Sequence, residues 1–216
     1  MGKPAGLILA GGRGSRMGGD VAKPLIELAG RPLIAHVIDR LAAQVEPLLI
    51  AAPLDQGFER LGLTLAPDRR QGLLGPLAGI EAGLLTLAEM GGSDTAGGMP
   101  RQLLVVPGDT PFLPDDLAES LQSLAGDRPV IARFKNRSQP ATSLWPVSTL
   151  VHLTEWLDAE KPLAIRAFLQ WTGYREAEIE PIADAPGKDP FFNVNTPADL
   201  AHAANFLAKG SHEHFN

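Results

Sequence analysis

The feature that most constrains the fold is the alternation of short apolar runs with helical patterns along most of the chain. The apolar runs read as buried strands, and they cover residues 7–10, 48–52, 63–66, 103–106 and 130–134. Nearly unbroken apolar strands that are separated by helices are typical of parallel sheets whose two faces are both covered. The pattern therefore predicts an α/β fold of three layers, with a mostly parallel central sheet and helices on both faces.

Helices are predicted between these strands and after them, at residues 32–41, 76–90, 115–124, 148–158, 163–170 and 197–207, with one more strand at 138–145. The chain has 216 residues, enough for one well-packed domain. We predict a single domain over residues 1–208, with an N-terminal half of about 1–135 and a C-terminal half of about 136–208. Residues 209–216 are predicted to form a disordered tail.

Charge and cysteine content exclude several classes of function. The formal net charge of −6 argues against nucleic-acid binding, which requires a basic face. The absence of cysteine rules out disulfides, thiolate metal sites and a cysteine nucleophile. The first apolar run ends at Gly11, too early for a signal peptide, and no uncharged apolar stretch approaches the roughly 18 residues of a membrane span. We expect a cytoplasmic protein with neither nucleic acid nor membrane as a partner.

A glycine-rich segment with three cations follows the first predicted strand. Its residues are Gly11, Gly12, Arg13, Gly14, Arg16 and Lys23. Glycines let the backbone approach an anion and direct N–H groups at it, and the cations supply positive charge for a triphosphate. The spacing is not that of a Walker loop, since Ala22 and Pro24 flank the lysine, and Met17 replaces the third glycine of a dinucleotide motif. The alternative is a glycine-rich surface turn.

Asp109 follows the fourth predicted strand and lies between Pro107 and Pro111. In an open α/β sheet, ligands bind beyond the carboxyl ends of the strands, so this carboxylate is well placed for a ligand site. Mg²⁺ prefers one or two carboxylates together with phosphate oxygens. We therefore predict that Asp109 binds Mg²⁺ and takes part in catalysis with Arg16 and Lys23. The alternative is an Asx-type turn.

A second loop, after the third predicted strand, carries Asp68 and leads through Gly75 into a helix. A glycine-rich loop at a helix N-terminus can meet a polar or anionic ligand, and an aspartate there can accept hydrogen bonds from a base or a ribose. The sequence thus predicts a nucleotide contact at Asp68 and Gly75. A solvated acidic turn is the alternative.

The segment before the last predicted helix contains Asn193 and Asn195. Thr196 is a good helix N-cap, and Asp199 stands at the third helical position of a capping box. Because the two asparagines alternate along an extended segment, they should point the same way. Their amides could serve Mg²⁺ or a second substrate.

Together these motifs resemble those of the molybdenum cofactor guanylyltransferases, a family of nucleotidyltransferases with a Rossmann-like fold. The resemblance rests on Leu9-Ala10-Gly11-Gly12-x-Gly14-x-Arg16-Met17-Gly18 with Lys23-Pro24, on Gly75-Pro76-Leu77-Ala78-Gly79, on Asp109-Thr110-Pro111-Phe112, on Gln139-Pro140 and on Asn193-Val194-Asn195-Thr196-Pro197. It runs from about residue 6 to residue 207. The first motif is shared with sugar and cytidylyl transferases, whereas the combination is more specific.

The resemblance implies transfer of GMP from GTP to the terminal phosphate of molybdopterin with Mg²⁺, and release of pyrophosphate. It further implies that Leu9, Ala10 and Gly11 line the guanine, that Lys23 contacts the phosphates, and that Asn193 and Asn195 lie toward the pterin. The N-terminal half would then bind the nucleotide and the C-terminal half the acceptor. Molybdenum-insertion and molybdoenzyme-maturation proteins are further expected partners.

Two other functions stay open at this point. One is a cytidylyl or sugar-phosphate nucleotidyltransferase of the same fold. The other is a carrier that binds GTP or the cofactor without catalysis, and it predicts binding without pyrophosphate release. The presence of both Asp109 and Lys23 favours an enzyme, because nucleotidyl transfer depends on positioning and on charge neutralisation.

Overall fold

The structure, a computed structural model, describes residues 2–11, 21–70, 72, 75–91 and 101–213. Its strands are β1 (Ala5–Leu9), β2 (Glu27–Leu28), β3 (Arg31–Pro32), β4 (Leu48–Ala51), β5 (Thr64–Leu65), β6 (Gln102–Pro107), β7 (Val130–Phe134), β8 (Arg137–Pro146) and β9 (Arg175–Glu178). Its α-helices are α1 (Leu33–Ala42), α2 (Gly75–Gly91), α3 (Leu117–Gln122), α4 (Thr149–Asp158), α5 (Ile165–Thr172) and α6 (Pro197–Glu213).

Seven strands form the central sheet in the order β5-β4-β1-β6-β8-β7-β9. All run in one direction except β8, which is antiparallel to both β6 and β7. The predicted mostly parallel sheet is therefore confirmed. Because β8 is antiparallel, its first residues lie at the same edge of the sheet as the carboxyl ends of β6 and β7.

Helices cover both faces of this sheet, which confirms the three layers. Helices α1 and α3 pack in one apolar cluster, and α2, α4 and α5 pack in the other. Successive residues of β1 divide between them, with Leu7 in the second cluster and Ile8 in the first. This alternation is what places two cores on one strand. A third cluster packs α6 against Leu28, Leu33 and Phe112.

Two glycines let α2 lie close to the sheet. A Cβ atom at Gly83 would lie 2.6 Å from a methyl carbon of Leu7, and one at Gly79 would lie 3.1 Å from a methyl carbon of Leu9. Both leucines belong to β1, so α2 runs along that strand. The close approach brings the first turn of α2, which begins at Gly75, toward the carboxyl end of β1.

Three differences from the predicted elements go beyond a shift of one or two residues at an element's end. Strand β9, with the sequence Arg-Glu-Ala-Glu, was not predicted because only Ala177 in it is buried, so it lacks an apolar run. The two-residue strands β2 and β3 pair with each other and were also missed. Helix α6 continues to Glu213, six residues past the predicted end and into the segment predicted as a tail, and residues 214–216 lie outside the described residues. Within the described ranges, none of the helices combines the length and the apolar character needed to cross a bilayer.

Candidate active site

The carboxyl ends of β1 and β6 meet at the centre of the sheet edge. Leu9 pairs with Pro107, and the N–H of Gly108 donates to the carbonyl oxygen of Leu9 at 3.0 Å. Pro24 packs on Gly108, where a Cβ atom would lie 3.2 Å from the proline ring. This contact carries the neighbouring Lys23 over the end of β6. The end of β1 and the residue before Asp109 are thereby joined to Lys23.

Lys23 joins the predicted acid and both predicted asparagines. Its Nζ atom donates to Oδ2 of Asp109 at 2.5 Å, to Oδ1 of Asn195 at 2.5 Å and to Oδ1 of Asn193 at 3.3 Å. The Lys23 and Asp109 side chains are only 15% and 18% exposed. Four residues from three distant parts of the sequence therefore form one polar cluster, which we call the lysine cluster.

One backbone hydrogen bond and one buried side chain, both of Val194, hold the asparagines in this cluster. The N–H of Val194 donates to the carbonyl oxygen of Asp109 at 3.0 Å, and the Val194 side chain is fully buried. Asn193 and Asn195 flank Val194, so both point away from the core and toward Lys23, as their alternation predicted. The segment is thus tied to the end of β6 through one hydrogen bond and one buried side chain.

A capping box fixes the position of Asn195. Asp199 Oδ2 accepts hydrogen bonds from the backbone N–H groups of Asn195 and Thr196, and from the Thr196 hydroxyl. The N–H of Asp199 in turn donates to that hydroxyl at 3.2 Å. These hydrogen bonds, with the Thr196 hydroxyl as the largest cause, hold the pKa of Asp199 below its usual value. The predicted helix cap is confirmed, and it also orders a residue of the lysine cluster.

Asp109 has one oxygen to offer to a metal ion. Its Oδ2 accepts from Lys23, whereas Oδ1 is buried and has no hydrogen-bond partner among the described residues. Buried oxygens without a partner are costly, and a divalent cation would satisfy this one. Within the described residues no group of three or more His, Cys, Asp or Glu could hold a metal. A single carboxylate with neighbouring amide oxygens, completed by phosphate oxygens and water, is the donor set that suits Mg²⁺.

The predicted nucleotide-side residues lie at the carboxyl ends of β1 and β5, two parallel strands that are separated in the sheet by β4. Leu9 is half-buried, Ala10 is buried and bonded through its N–H to the carbonyl oxygen of Ala51, and Gly11 is exposed. Asp68 follows β5 and is exposed. No hydrogen bond or ion pair among the described residues links Asp68 to the lysine cluster. Gly75 opens α2 with a φ of 68°, a conformation that favours glycine.

The pKa of Asp68 is raised above its usual value. The larger cause is partial loss of hydration beside neighbouring protein atoms, and the smaller is repulsion by Glu81. Gly12, Gly14 and Arg16, which were predicted to cradle the triphosphate, lie outside the described residues.

Sequence reasoning missed an ion pair beside this site. Glu81, in the first half of α2, is 2% exposed and accepts two hydrogen bonds from Arg70. The signal was a charged residue inside the apolar run of α2, where buried neighbours on both sides predict that any carboxylate needs a partner.

A groove beside the asparagines was also missed. It encloses about 330 Å³ between the β7–β8 hairpin, the segment before Asn193 and α6, and its polar lining includes Lys135, Arg137, Gln139, Asp189 and His202. Phe192, the residue before Asn193, forms part of its wall. Neither Lys135 nor Arg137 has an ion-pair partner among the described residues. A cavity of this size with a few convergent polar groups suits a small molecule.

The chain is similar to known proteins over most of its length. Residues 6–177 match the family model described as "MobA-like NTP transferase domain". A molybdenum cofactor guanylyltransferase of Rhodobacter capsulatus is 41% identical over 96% of this chain and 98% of its own length, and one of Mesorhizobium japonicum is 37% identical over 94% and 95%. The crystal structure of molybdopterin-guanine dinucleotide biosynthesis protein A from Archaeoglobus fulgidus has the same fold, with a TM-score of 0.72 at 22% identity over 95% of this chain and 99% of that one.

Proposed function

The chain belongs to the family of MobA-like NTP transferase domains, and on this premise we propose that it transfers GMP from GTP to the terminal phosphate of molybdopterin. The products are molybdopterin guanine dinucleotide and pyrophosphate. The observation that carries the proposal is the lysine cluster. It combines a cation for phosphate, a carboxylate with one oxygen that no described residue contacts by a hydrogen bond, and two amides on a single segment of the C-terminal half.

The reaction is an in-line displacement at the α-phosphorus of GTP. An oxygen of the acceptor phosphate forms a bond to that phosphorus, the bond to the β-phosphate breaks, and pyrophosphate leaves. Lys23 offers positive charge to the phosphates, and the carboxylate of Asp109 would hold Mg²⁺. Mg²⁺ bound there would supply positive charge that offsets the negative charge developing on the phosphate oxygens. No protein nucleophile is needed.

The nucleotide occupies the strand ends of the N-terminal half in this proposal. Leu9, Ala10 and Gly11 line the guanine, and Asp68 and Gly75 contact the nucleoside. Gly12, Gly14 and Arg16 serve the triphosphate. The support is that the described residues among these end or follow β1 or β5, two strands of the parallel part of the sheet, or begin the helix that packs on β1.

The acceptor occupies the other side of the lysine cluster. Asn193 and Asn195 face its phosphate end, and the groove that starts at Phe192 takes the remainder of the molecule. Lys135 and Arg137, which have no ion-pair partner in the part of the chain that the structure describes, suit an acceptor with an anionic group at that end. Arg137→Ala should raise the KM for the acceptor about tenfold and leave the KM for GTP unchanged, which is the pattern of lost binding at one substrate.

A matched control tests the groove. Arg128 precedes β7 and Lys135 follows it, so Arg128 lies at the opposite edge of the sheet. Arg128→Ala should leave both KM values unchanged. Equal changes in the KM for the acceptor from Arg137→Ala and Arg128→Ala would mean that the groove is not part of the acceptor site.

The primary test is pyrophosphate release with Mg²⁺, a molybdopterin acceptor and each of GTP, CTP, ATP and UTP. We expect release with GTP alone and no release without Mg²⁺. Release with CTP, or with a sugar phosphate as the only active acceptor, would keep the transferase and replace the substrates. Tight GTP binding without release would favour a carrier.

The product would pass to molybdoenzymes, and molybdenum-insertion and molybdoenzyme-maturation proteins are the partners proposed for that step. We place the enzyme in the cytoplasm, which cell fractionation would test.

A further inference from the structure

The Arg70 side chain donates hydrogen bonds to two acidic residues near the proposed nucleotide site. Its Nε atom donates to Oε2 of Glu81 at 2.6 Å and its Nη2 atom donates to Oε1 at 2.7 Å. This is the two-pronged geometry in which a guanidinium and a carboxylate match best. The Glu81 side chain is 3% exposed and that of Arg70 is 22% exposed, so the pair is largely shielded from water.

The same guanidinium reaches a second helix. Its Nη1 atom donates to Oδ1 of Asp158 at 2.7 Å, and Asp158 is the last residue of α4. Glu81 lies in α2, and Arg70 follows β5. One side chain therefore connects the carboxyl edge of the sheet, a helix that begins in the N-terminal half, and a helix of the C-terminal half.

Stability alone is a poor reason for such a contact. Burying a charged pair costs hydration free energy, and an apolar pair of similar volume in its place is often as stable or more so. Leu77 and Leu84, which lie on the same face of α2 as Glu81, are buried apolar residues and show what this face would otherwise carry. The ion pair does fix the orientation of the guanidinium relative to its acidic partners, because its five N–H donors lie in one rigid plane.

The position of Arg70 in the chain places this fixed orientation next to the proposed nucleotide contact. Arg70 is two residues beyond Asp68 and five residues before Gly75. Repulsion by the charge of Glu81 also contributes to the raised pKa of Asp68. Whatever holds Arg70 therefore holds the backbone next to Asp68.

We propose that Arg70 is a positioning residue, which fastens the Asp68 segment to Glu81 of α2 and Asp158 of α4 in the arrangement that binds the nucleoside. The inference rests on the proposed function, because it assumes that Asp68 contacts the nucleotide. Arg70 itself touches neither substrate. Its loss lets the Asp68 segment move relative to α2, and a contact made equally in the ground state and the transition state is then weakened.

Kinetics separate positioning from simple stability. A contact of that kind affects KM and leaves kcat nearly unchanged. A purely structural residue would lower the melting temperature without a change in KM, provided that the assay is run well below the melting temperature. The proposed experiment measures KM, kcat, direct GTP binding and melting temperature for each variant.

The variants are chosen so that folding is preserved. Arg70→Met alone leaves the Glu81 charge buried without a partner, which risks unfolding. The double variant Arg70→Met with Glu81→Met replaces both charges with apolar side chains of similar length. Asp158→Asn removes the charge of the third contact at an exposed position.

The adjacent Arg69 offers the matched control. Its Nη2 atom donates to Oε2 of Glu89 at 2.7 Å, but the two side chains are 44% and 61% exposed. Exposed pairs of this kind contribute little. Arg69→Met with Glu89→Met removes an ion pair between the same segment and the same helix. It should leave KM, kcat and the dissociation constant for GTP within about twofold of the wild-type values.

For the Arg70 and Glu81 double variant we expect a folded protein whose KM and dissociation constant for GTP rise about tenfold, with kcat within about twofold. Asp158→Asn should show a smaller change of the same kind. A folded double variant with wild-type GTP affinity and KM would overturn the inference while the proposed function stands. A wild-type protein that binds no nucleotide would overturn both, whereas one that prefers CTP would move the same test to CTP.

Discussion

The two carboxylate oxygens of Asp109 have different surroundings. Oδ2 accepts a hydrogen bond from Lys23, and Oδ1 is buried without a partner in the described part of the chain. The sequence predicted a metal ligand from the position of this residue at a strand end. The tertiary structure adds which oxygen is available and which cation lies beside it, and neither fact is visible in the local sequence.

Asp109→Asn should reduce kcat at least about 100-fold, because the proposed Mg²⁺ ligand loses its charge while the shape of the side chain is kept. Pyrophosphate release measured over a series of Mg²⁺ concentrations checks this. Asp115→Asn is the control, since Asp115 is 79% exposed and pairs only with Arg40. Normal turnover of Asp109→Asn with normal Mg²⁺ dependence would contradict the metal assignment.

Asp199 acts through the cap that it completes. Asp199→Ala should lower the free energy of unfolding by about 1 kcal/mol, because the three hydrogen bonds to its carboxylate are lost while the N-cap hydroxyl of Thr196 remains. It should also raise the KM for the acceptor, because Asn195 loses the hydrogen bond that fixes its backbone.

This contribution depends on pH in a defined direction. The folded-state pKa of Asp199 is lowered, so its stabilisation is fully present above the unfolded value of about 3.8 and is lost as the pH falls through the folded value. Urea unfolding of both proteins at pH 7 and at pH 3 or below provides the measurement. The difference between wild type and Asp199→Ala should be full at pH 7 and should shrink at the lower pH. A constant difference would mean that the carboxylate charge is not involved.

At the level of single elements, α2 shows how a helix can be predicted in outline and still carry unpredicted detail. Its apolar run and its start near Pro76 were evident from the sequence, and the observed helix begins one residue earlier, at Gly75. The sequence did not show why glycines recur within it. Gly79 and Gly83 face β1, where the approach of helix and strand leaves little room for a side chain.

Gly83→Ala should destabilise the protein by about 1 kcal/mol. Overpacking a tight contact costs about 1–3 kcal/mol, and the higher helix propensity of alanine returns up to about 1 kcal/mol. Gly79→Ala should have a smaller effect, since its nearest contacts would be 3.1 and 3.3 Å rather than 2.6 Å. Chemical denaturation of both variants tests the order. A stabilising Gly83→Ala would show that Leu7 yields at no cost.

On the scale of the whole molecule, the sheet runs through both predicted halves. Strand β8 of the C-terminal half pairs with β6 of the N-terminal half over four residue pairs, from Gln102 with Pro146 to Val105 with Ser143. Arg70 adds a side-chain connection between the halves through Asp158. These contacts argue for cooperative folding.

We therefore expect one unfolding transition. All three tryptophans lie in the C-terminal half, at positions 145, 156 and 171, so their fluorescence reports on that half alone. Far-ultraviolet circular dichroism reports on the helices of both halves. The two signals should change together in urea, as they do for a two-state domain. Separate midpoints would divide the predicted single domain over residues 1–208 into two.

The sequence by itself determined the fold class and the order of the main strands and helices, because local periodicity encodes which residues are buried. It also pointed to Lys23, Asp109 and the two asparagines, since unusual polar residues directly followed apolar runs or preceded a helix. Strand β9 was not predicted from the sequence, because it is held by backbone hydrogen bonds to β7 and its side chains show no apolar pattern. The ion pair of Arg70 with Glu81 and the groove beside Phe192 were decided only by the tertiary structure, because each depends on distances between residues far apart in the chain.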